Sequence, residues 1–176
     1  MKEDQKKRVR TVAVSKPRKH KDTHKTETGL KPREEICNCT ALRKAARRVS
    51  VLYDRILAPS GLRVTQYALL SELVRSGSMT ITELADVMVM DRNGLGHNLR
   101  PLEREKLVRM ETGLDRRSRV VVVTDVGKAR FGQARLLWAK AQKKFSSAFS
   151  AERVHEFQSL LVVACSADYG DLIEVA

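Results

Sequence analysis

The sequence predicts a mainly α-helical protein with one small β-hairpin. Three observations carry this. Apolar residues recur at a helical period through most of the chain after residue 34. One short β-prone run, Val120–Val123, follows a basic, glycine-started turn. Just before it, residues 80–104 read as two short helices joined by a tight turn.

The chain has 176 residues, and its hydrophobic content of 42% suffices for a core. No run approaches the ~18 apolar residues of a membrane span, and the N terminus lacks the apolar stretch of a signal peptide. The expected location is the cytoplasm, on the nucleoid when DNA is bound. The formal charge is +13, of which residues 1–33 supply +8 and residues 34–176 only +5. A polyanionic partner is favoured, nucleic acid being the commonest. Three cysteines, Cys37, Cys39 and Cys165, are too few for a disulfide framework, and their spacing falls short of a zinc set. No metal or cofactor is expected.

Residues 1–33 are lysine-rich with almost no large apolar side chains, so nothing there offsets the entropy of ordering. They read as a disordered basic arm. A first helix is expected over 35–58, with Leu42, Val49, Leu52, Tyr53 and Ile56 on one stripe, ended by Pro59-Ser60-Gly61. A second covers 64–75 and closes at Gly77. Thr80 and Glu83 form a capping-box signature for a third. After a turn at Val89-Met90, Asp91 can cap a fourth helix. There Leu95, Leu99 and Leu102 share one side, and Asn93, His97, Arg100 and Arg104 the other. The outward face carries Asn, His and Arg and no acid, the side chains that bond base edges and phosphates. Gly94 and Gly96 weaken this helix while exposing backbone, and Pro101 should bend it.

Strands are expected over 107–112 and 119–124, with GLDRRS between them. Arg116, Arg117 and Arg119 cluster at this hairpin, where basic side chains on a narrow loop suit a minor groove. Asp115 is read as orienting an arginine through a charge-assisted bond. Thr124 or Asp125 can cap a long helix over 126–148, and a last helix runs from 150 or 151 to 166. Helix, turn, helix and basic hairpin together read as a winged helix-turn-helix. Long apolar helices outside so small a unit need a partner surface, which a second copy supplies. The division is an arm at 1–33, a dimerisation helix at 34–60, the DNA-binding region at 61–125 and C-terminal dimerisation helices at 126–176. No phosphate-cradling glycine loop, HExxH or nucleophile–base–acid set is present, so no enzyme is expected.

Three stretches, GLRVTQYALLSEL (61–73), ITELADVMVMDRNGLGHNLRPLEREKLV (81–108) and DRRSRVVVVTDVGKA (115–129), resemble the multiple-antibiotic-resistance regulator (MarR) family. The resemblance spans residues 36–168. It implies a homodimeric regulator, commonly a repressor, reading a palindromic operator and released by a small, often aromatic, effector. It places Arg92, Asn93, His97 and Asn98 facing DNA, and Asp115 and Arg117 as the wing pair. An effector pocket is expected beneath Tyr53, Tyr67 and helix 126–148, while helical amphipathicity also accounts for these residues as core. The usual hydroxyl and polar residues of the reading helix are replaced here by Asn93-Gly94 and Gly96-His97, which leaves the operator sequence open. One branch of the family senses organic hydroperoxides through a cysteine that Cys39 matches, with Cys37 beside it. Tyr53 matches one supporting tyrosine, whereas the other tyrosine positions hold Val64 and Arg43. A thiol-based repressor, or a nonspecific architectural DNA-binding protein relying on the arm, are the alternatives.

Overall fold

The computed structural model describes residues 37–113, 115 and 118–166. Helix α1 (Asn38–Leu57) leads through a 3-10 turn at Ala58–Ser60 into α2 (Val64–Ser76). Strand β1 (Met79–Thr80), α3 (Ile81–Val87) and α4 (Arg92–Arg104) follow, then β2 (Val108–Thr112), β3 (Arg119–Val123), α5 (Asp125–Ser146) and α6 (Ala151–Ser166). The arm lies outside the described residues. Among those described, no helix is long and apolar enough to cross a membrane.

The sheet has three strands where the sequence suggested two. β3 is central, pairing antiparallel with β2 (Val108 opposite Val123, Thr112 opposite Arg119) and with β1 (Met79 opposite Val121, Thr80 opposite Val120). β1 is silent in the sequence because a two-residue strand has no period, and Thr80 reads as a helix cap. It serves both purposes. The Glu83 N–H donates to the Thr80 hydroxyl at 3.2 Å, and the Thr80 N–H donates to the Glu83 carboxylate at 2.7 Å.

The core gathers leucines from every helix of the DNA-binding lobe, among them Leu69 and Leu70 of α2, Leu84 of α3 and Leu95 of α4, together with Val121 of β3. Burial of each stabilises by roughly 1.5–3 kcal/mol. α5 starts where expected: the Thr124 hydroxyl accepts from the Gly127 N–H at 3.0 Å. It packs along α1, and the Tyr53 hydroxyl donates to Gln142 across that contact. Arg130 of α5 donates to the Ser60 carbonyl at 3.0 Å and lies 3.4 Å from the Glu105 carboxylate. This guanidinium ties α5 to the C-terminal end of α4, and so helps to fix how α4 is presented.

The first helix begins at Asn38, with Cys37 in the N-cap position and residues 38–48 exposed. α6 has no buried residue, and Leu160, Val162 and Val163 are open to solvent.

Candidate nucleic-acid interface

α4 is anchored at both ends. Asp91 caps it, its carboxylate accepting from the Gly94 N–H at 2.8 Å. At the far end the Leu107 N–H donates to the Leu102 carbonyl at 2.8 Å. The helix carries on past Pro101, to Arg104. Leu95, Leu99 and Leu102 are 0%, 1% and 1% exposed, which fixes the helix about its axis. The opposite side, with Arg92, Asn93, His97, Arg100 and Arg104, is exposed. It presents three guanidinium groups, an amide and an imidazole, and the one carboxylate of the helix, on Glu103, is exposed about three turns along from Arg92 on its flank.

Asn98 is placed differently. It is half-buried, and its side-chain amide donates to the Gly94 carbonyl at 2.8 Å, one turn back along the helix. The two glycines also differ. A Cβ on Gly94 would stand 3.1 Å from the Asp91 carboxylate, so Gly94 gives the cap room, whereas Gly96 has nothing within 4 Å and leaves the surface open. His97, Asn98, Pro101 and Arg104 line a cleft of about 400 Å³ whose other wall is Arg63 and Gln66 at the start of α2. Sequence reasoning does not single out Arg63 and Gln66. They lie some thirty residues from α4, and no local pattern links the two segments.

The hairpin closes with the Gly113 N–H donating to the Ser118 carbonyl at 3.0 Å. The Asp115 carbonyl accepts from both the N–H and the hydroxyl of Ser118, each at 2.8 Å. A Cβ on Gly113 would stand 2.1 Å from the Ser118 hydroxyl oxygen, so a larger residue there would turn that hydroxyl away from its bond to the Asp115 carbonyl. Arg119, at the start of β3, is exposed; Arg116 and Arg117 lie outside the described residues.

Tyr53 and Tyr67 are both core residues. Tyr67 stacks with Phe131 (ring centroids 5.3 Å apart) and Trp138 (5.8 Å), and the Tyr53 hydroxyl is engaged by Gln142. Burial raises both phenols above their ordinary value, the Arg135 charge partly opposing this at Tyr67. Both rings are packed into the core, and the cleft described above lies against α4.

All three cysteines are exposed. The Thr40 hydroxyl donates to Cys37 Sγ at 3.4 Å, and this bond, with that of the Thr40 backbone, holds the Cys37 thiol below the ordinary thiol range. Cys39 and Tyr53 are fourteen residues apart on one helix, about 21 Å along its axis, so they do not meet within one chain. Among the described residues no group of three metal-ligating side chains occurs.

No family model matches the chain, and no curated protein does. Solved structures do. The M. tuberculosis transcriptional regulator MOSR, crystallised in complex with DNA, is 33% identical, with a TM-score of 0.65 over 75% of this chain and 100% of that one. The transcriptional repressor CouR, bound to a 23-mer DNA duplex, is 25% identical, with a TM-score of 0.66 over 72% of this chain and 91% of that one. A MarR-family regulator from Rhodococcus sp. RHA1 shares the fold at 18% identity, with a TM-score of 0.67 over 76% of this chain and 96% of that one. The chain therefore belongs to the MarR family of winged helix-turn-helix transcriptional regulators, which are DNA-binding proteins and not enzymes.

Proposed function

We propose that the protein is a homodimeric repressor whose two α4 helices read the half-sites of a palindromic operator. One observation carries this reading: α4 is locked by three buried leucines while Arg92, Asn93, His97, Arg100 and Arg104 stand exposed on the side away from them. Asn93, near the N-terminal end that a recognition helix inserts, is assigned to base edges, with Arg92 and His97 beside it. Arg100 is assigned to phosphate. Asn98 is assigned to holding the helix surface and to contact through its remaining amide oxygen. Arg116, Arg117 and Arg119 of the wing enter the minor groove, with Asp115 orienting them. Crystals of MOSR and CouR with DNA support the general mode.

The dimer is assigned to residues 34–60 and 126–176, with 61–125 as the DNA-binding region and 1–33 as an arm that adds phosphate contacts. What supports it is the exposed apolar surface at Leu42, Val51, Leu160, Val162 and Val163, which one chain leaves uncovered. Two half-sites one helical turn apart then fix the spacing the dimer must hold. A small-molecule effector, aromatic in keeping with the family resemblance, releases DNA by favouring another spacing; a differential of ~4 kcal/mol between the two states changes affinity roughly a thousandfold. The protein works in the cytoplasm, on the nucleoid.

Charge reversal at Arg117 tests the wing. Operator binding should be nearly abolished while sedimentation still gives a dimer. Unchanged affinity in a filter-binding titration defeats the assignment.

A second reading, thiol control, is favoured by the depressed Cys37 thiol and by the exposure of both Cys37 and Cys39. An organic hydroperoxide would oxidise a thiolate to the sulfenic acid and be reduced to the alcohol. Peroxide should then weaken operator binding by the wild type and leave the Cys37→Ser, Cys39→Ser variant unaffected. Equal loss in both removes this reading.

A further inference from the structure

The turn between α3 and α4 carries a side chain that the fold does not ask for. Val89 follows the C-cap Met88 with φ 50°, in the left-handed region. Its N–H donates to the Asp86 carbonyl at 3.1 Å, and the Met90 N–H donates to the Ala85 carbonyl at 2.9 Å. This is the paired bonding of a Schellman motif, which needs a left-handed residue at the place Val89 occupies and takes glycine there most often. A β-branched residue suits it poorly, because its Cβ substituents crowd the neighbouring carbonyl.

No packing offsets that strain. Val89 is 81% exposed, whereas the residues flanking it, Met88 and Met90, pack against the core and hold the turn without it. The other left-handed non-glycine residue among those described, Lys106, is a polar side chain at home in solvent. Val89 is thus strained and apolar in water at once. Val87, half open to solvent at the end of α3, lies two residues before it.

Position decides what could cover such a residue. Val89 stands two residues ahead of the α4 cap, within about 11 Å of Arg92 along the chain. It therefore sits at the end of α4 that enters the major groove when the helix reads DNA. The apolar group displayed on base edges in that groove is the thymine 5-methyl. A protein partner would need a broader apolar surface than two valines flanked by Asp86 and Arg92.

We propose that Val89 is a specificity-determining residue that packs against a thymine methyl in each half-site. This rests on the reading of α4 as the recognition helix. Exclusion of one methyl from water corresponds to a factor of about four in affinity per half-site, and about fifteen for two.

The test uses the full chain and a duplex selected by it from random-sequence DNA. Each thymine is replaced in turn by deoxyuridine, which removes only the methyl. The variants are Val89→Gly and Val89→Asn, both compatible with a left-handed backbone, so the turn survives; circular dichroism and thermal unfolding check that it does. One thymine per half-site should be about fourfold sensitive to uridine in the wild type and insensitive in both variants. Uridine sensitivity that is the same in wild type and variants overturns the proposal. So does a variant that loses affinity with no uridine-sensitive position in the wild type. Failure to select any sequence at all overturns the recognition-helix reading itself, and the proposal with it.

Discussion

The α-carbon of Gly127 lies against the carbonyl of Leu107: a Cβ added to Gly127 would stand 2.0 Å from that oxygen. The same carbonyl accepts the Thr124 N–H at 3.0 Å, so it is fixed by the start of α5 and cannot swing aside freely. This contact joins the base of the wing to the helix assigned to dimerisation. Gly127→Ala should cost up to about 3 kcal/mol, the upper end of overpacking, because the neighbour is backbone. Gly132→Ala, five residues along the same helix with nothing within 4 Å, should instead stabilise by up to ~1 kcal/mol. Urea unfolding midpoints of the two variants check the pair. Similar shifts would show that the Leu107 contact does not hold.

Asp91 holds the first turn of α4 by one bond to the Gly94 N–H. Its removal in Asp91→Ala should cost about 1 kcal/mol. Hydrogen exchange should rise first in residues 92–95, and the rest of α4 should stay protected by its buried leucines. Uniform loss of protection along the helix would contradict the capping role.

Alkaline pH tests the burial of the two tyrosines. Folded phenols at Tyr53 and Tyr67 keep their protons above the ordinary value of 10.0, at which the unfolded chain releases them. Their raised folded value means that the stability they contribute is complete below that pH and is lost as pH climbs through the folded value. The urea midpoint should hold steady to about pH 9 and then fall. In Tyr53→Phe with Tyr67→Phe the alkaline fall should be shallower. Tyr53→Phe also forfeits the bond to Gln142, about 1 kcal/mol at any pH. Identical alkaline slopes in wild type and double variant would contradict this account.

Much of the fold was legible because local rules and global packing agree. The Thr80, Asp91 and Thr124 caps are local and stand where the sequence put them. Leu95, Leu99 and Leu102 define a helical face without reference to anything distant. What was not legible is what depends on contacts far along the chain. β1 exists only because β3 pairs with it. The Arg130 bridge to Ser60 and Glu105 spans 70 and 25 residues, and the cleft needs α2 beside α4. Asn98 shows a subtler limit: its helical position is readable, but the turn of its amide toward the Gly94 carbonyl is set by the folded surroundings that leave it half-buried. Tyr53 and Tyr67 carry the same ambiguity, since an aromatic lining a pocket and one filling a core have the same spacing.

Asn93 and Arg100 occupy one exposed face with different assigned tasks, and their variants should differ in kind. Asn93→Ala should relax the preference at one base pair per half-site, at a cost of about 1–3 kcal/mol. Arg100→Ala should weaken binding to all sequences alike and lessen the salt slope by about one for each phosphate no longer neutralised. Titrations at several salt concentrations, on operator and mutated duplexes, separate the two. A reversed pattern would exchange the roles.

The most direct measurement is recovery of bound fragments from genomic DNA by the purified full chain and by a form lacking residues 1–33. The account predicts that both forms enrich one two-fold symmetric sequence, the shorter form more weakly and with a smaller salt slope. Diffuse binding that disappears with the arm would contradict it, and would leave the cationic face of α4 without a sequence to read.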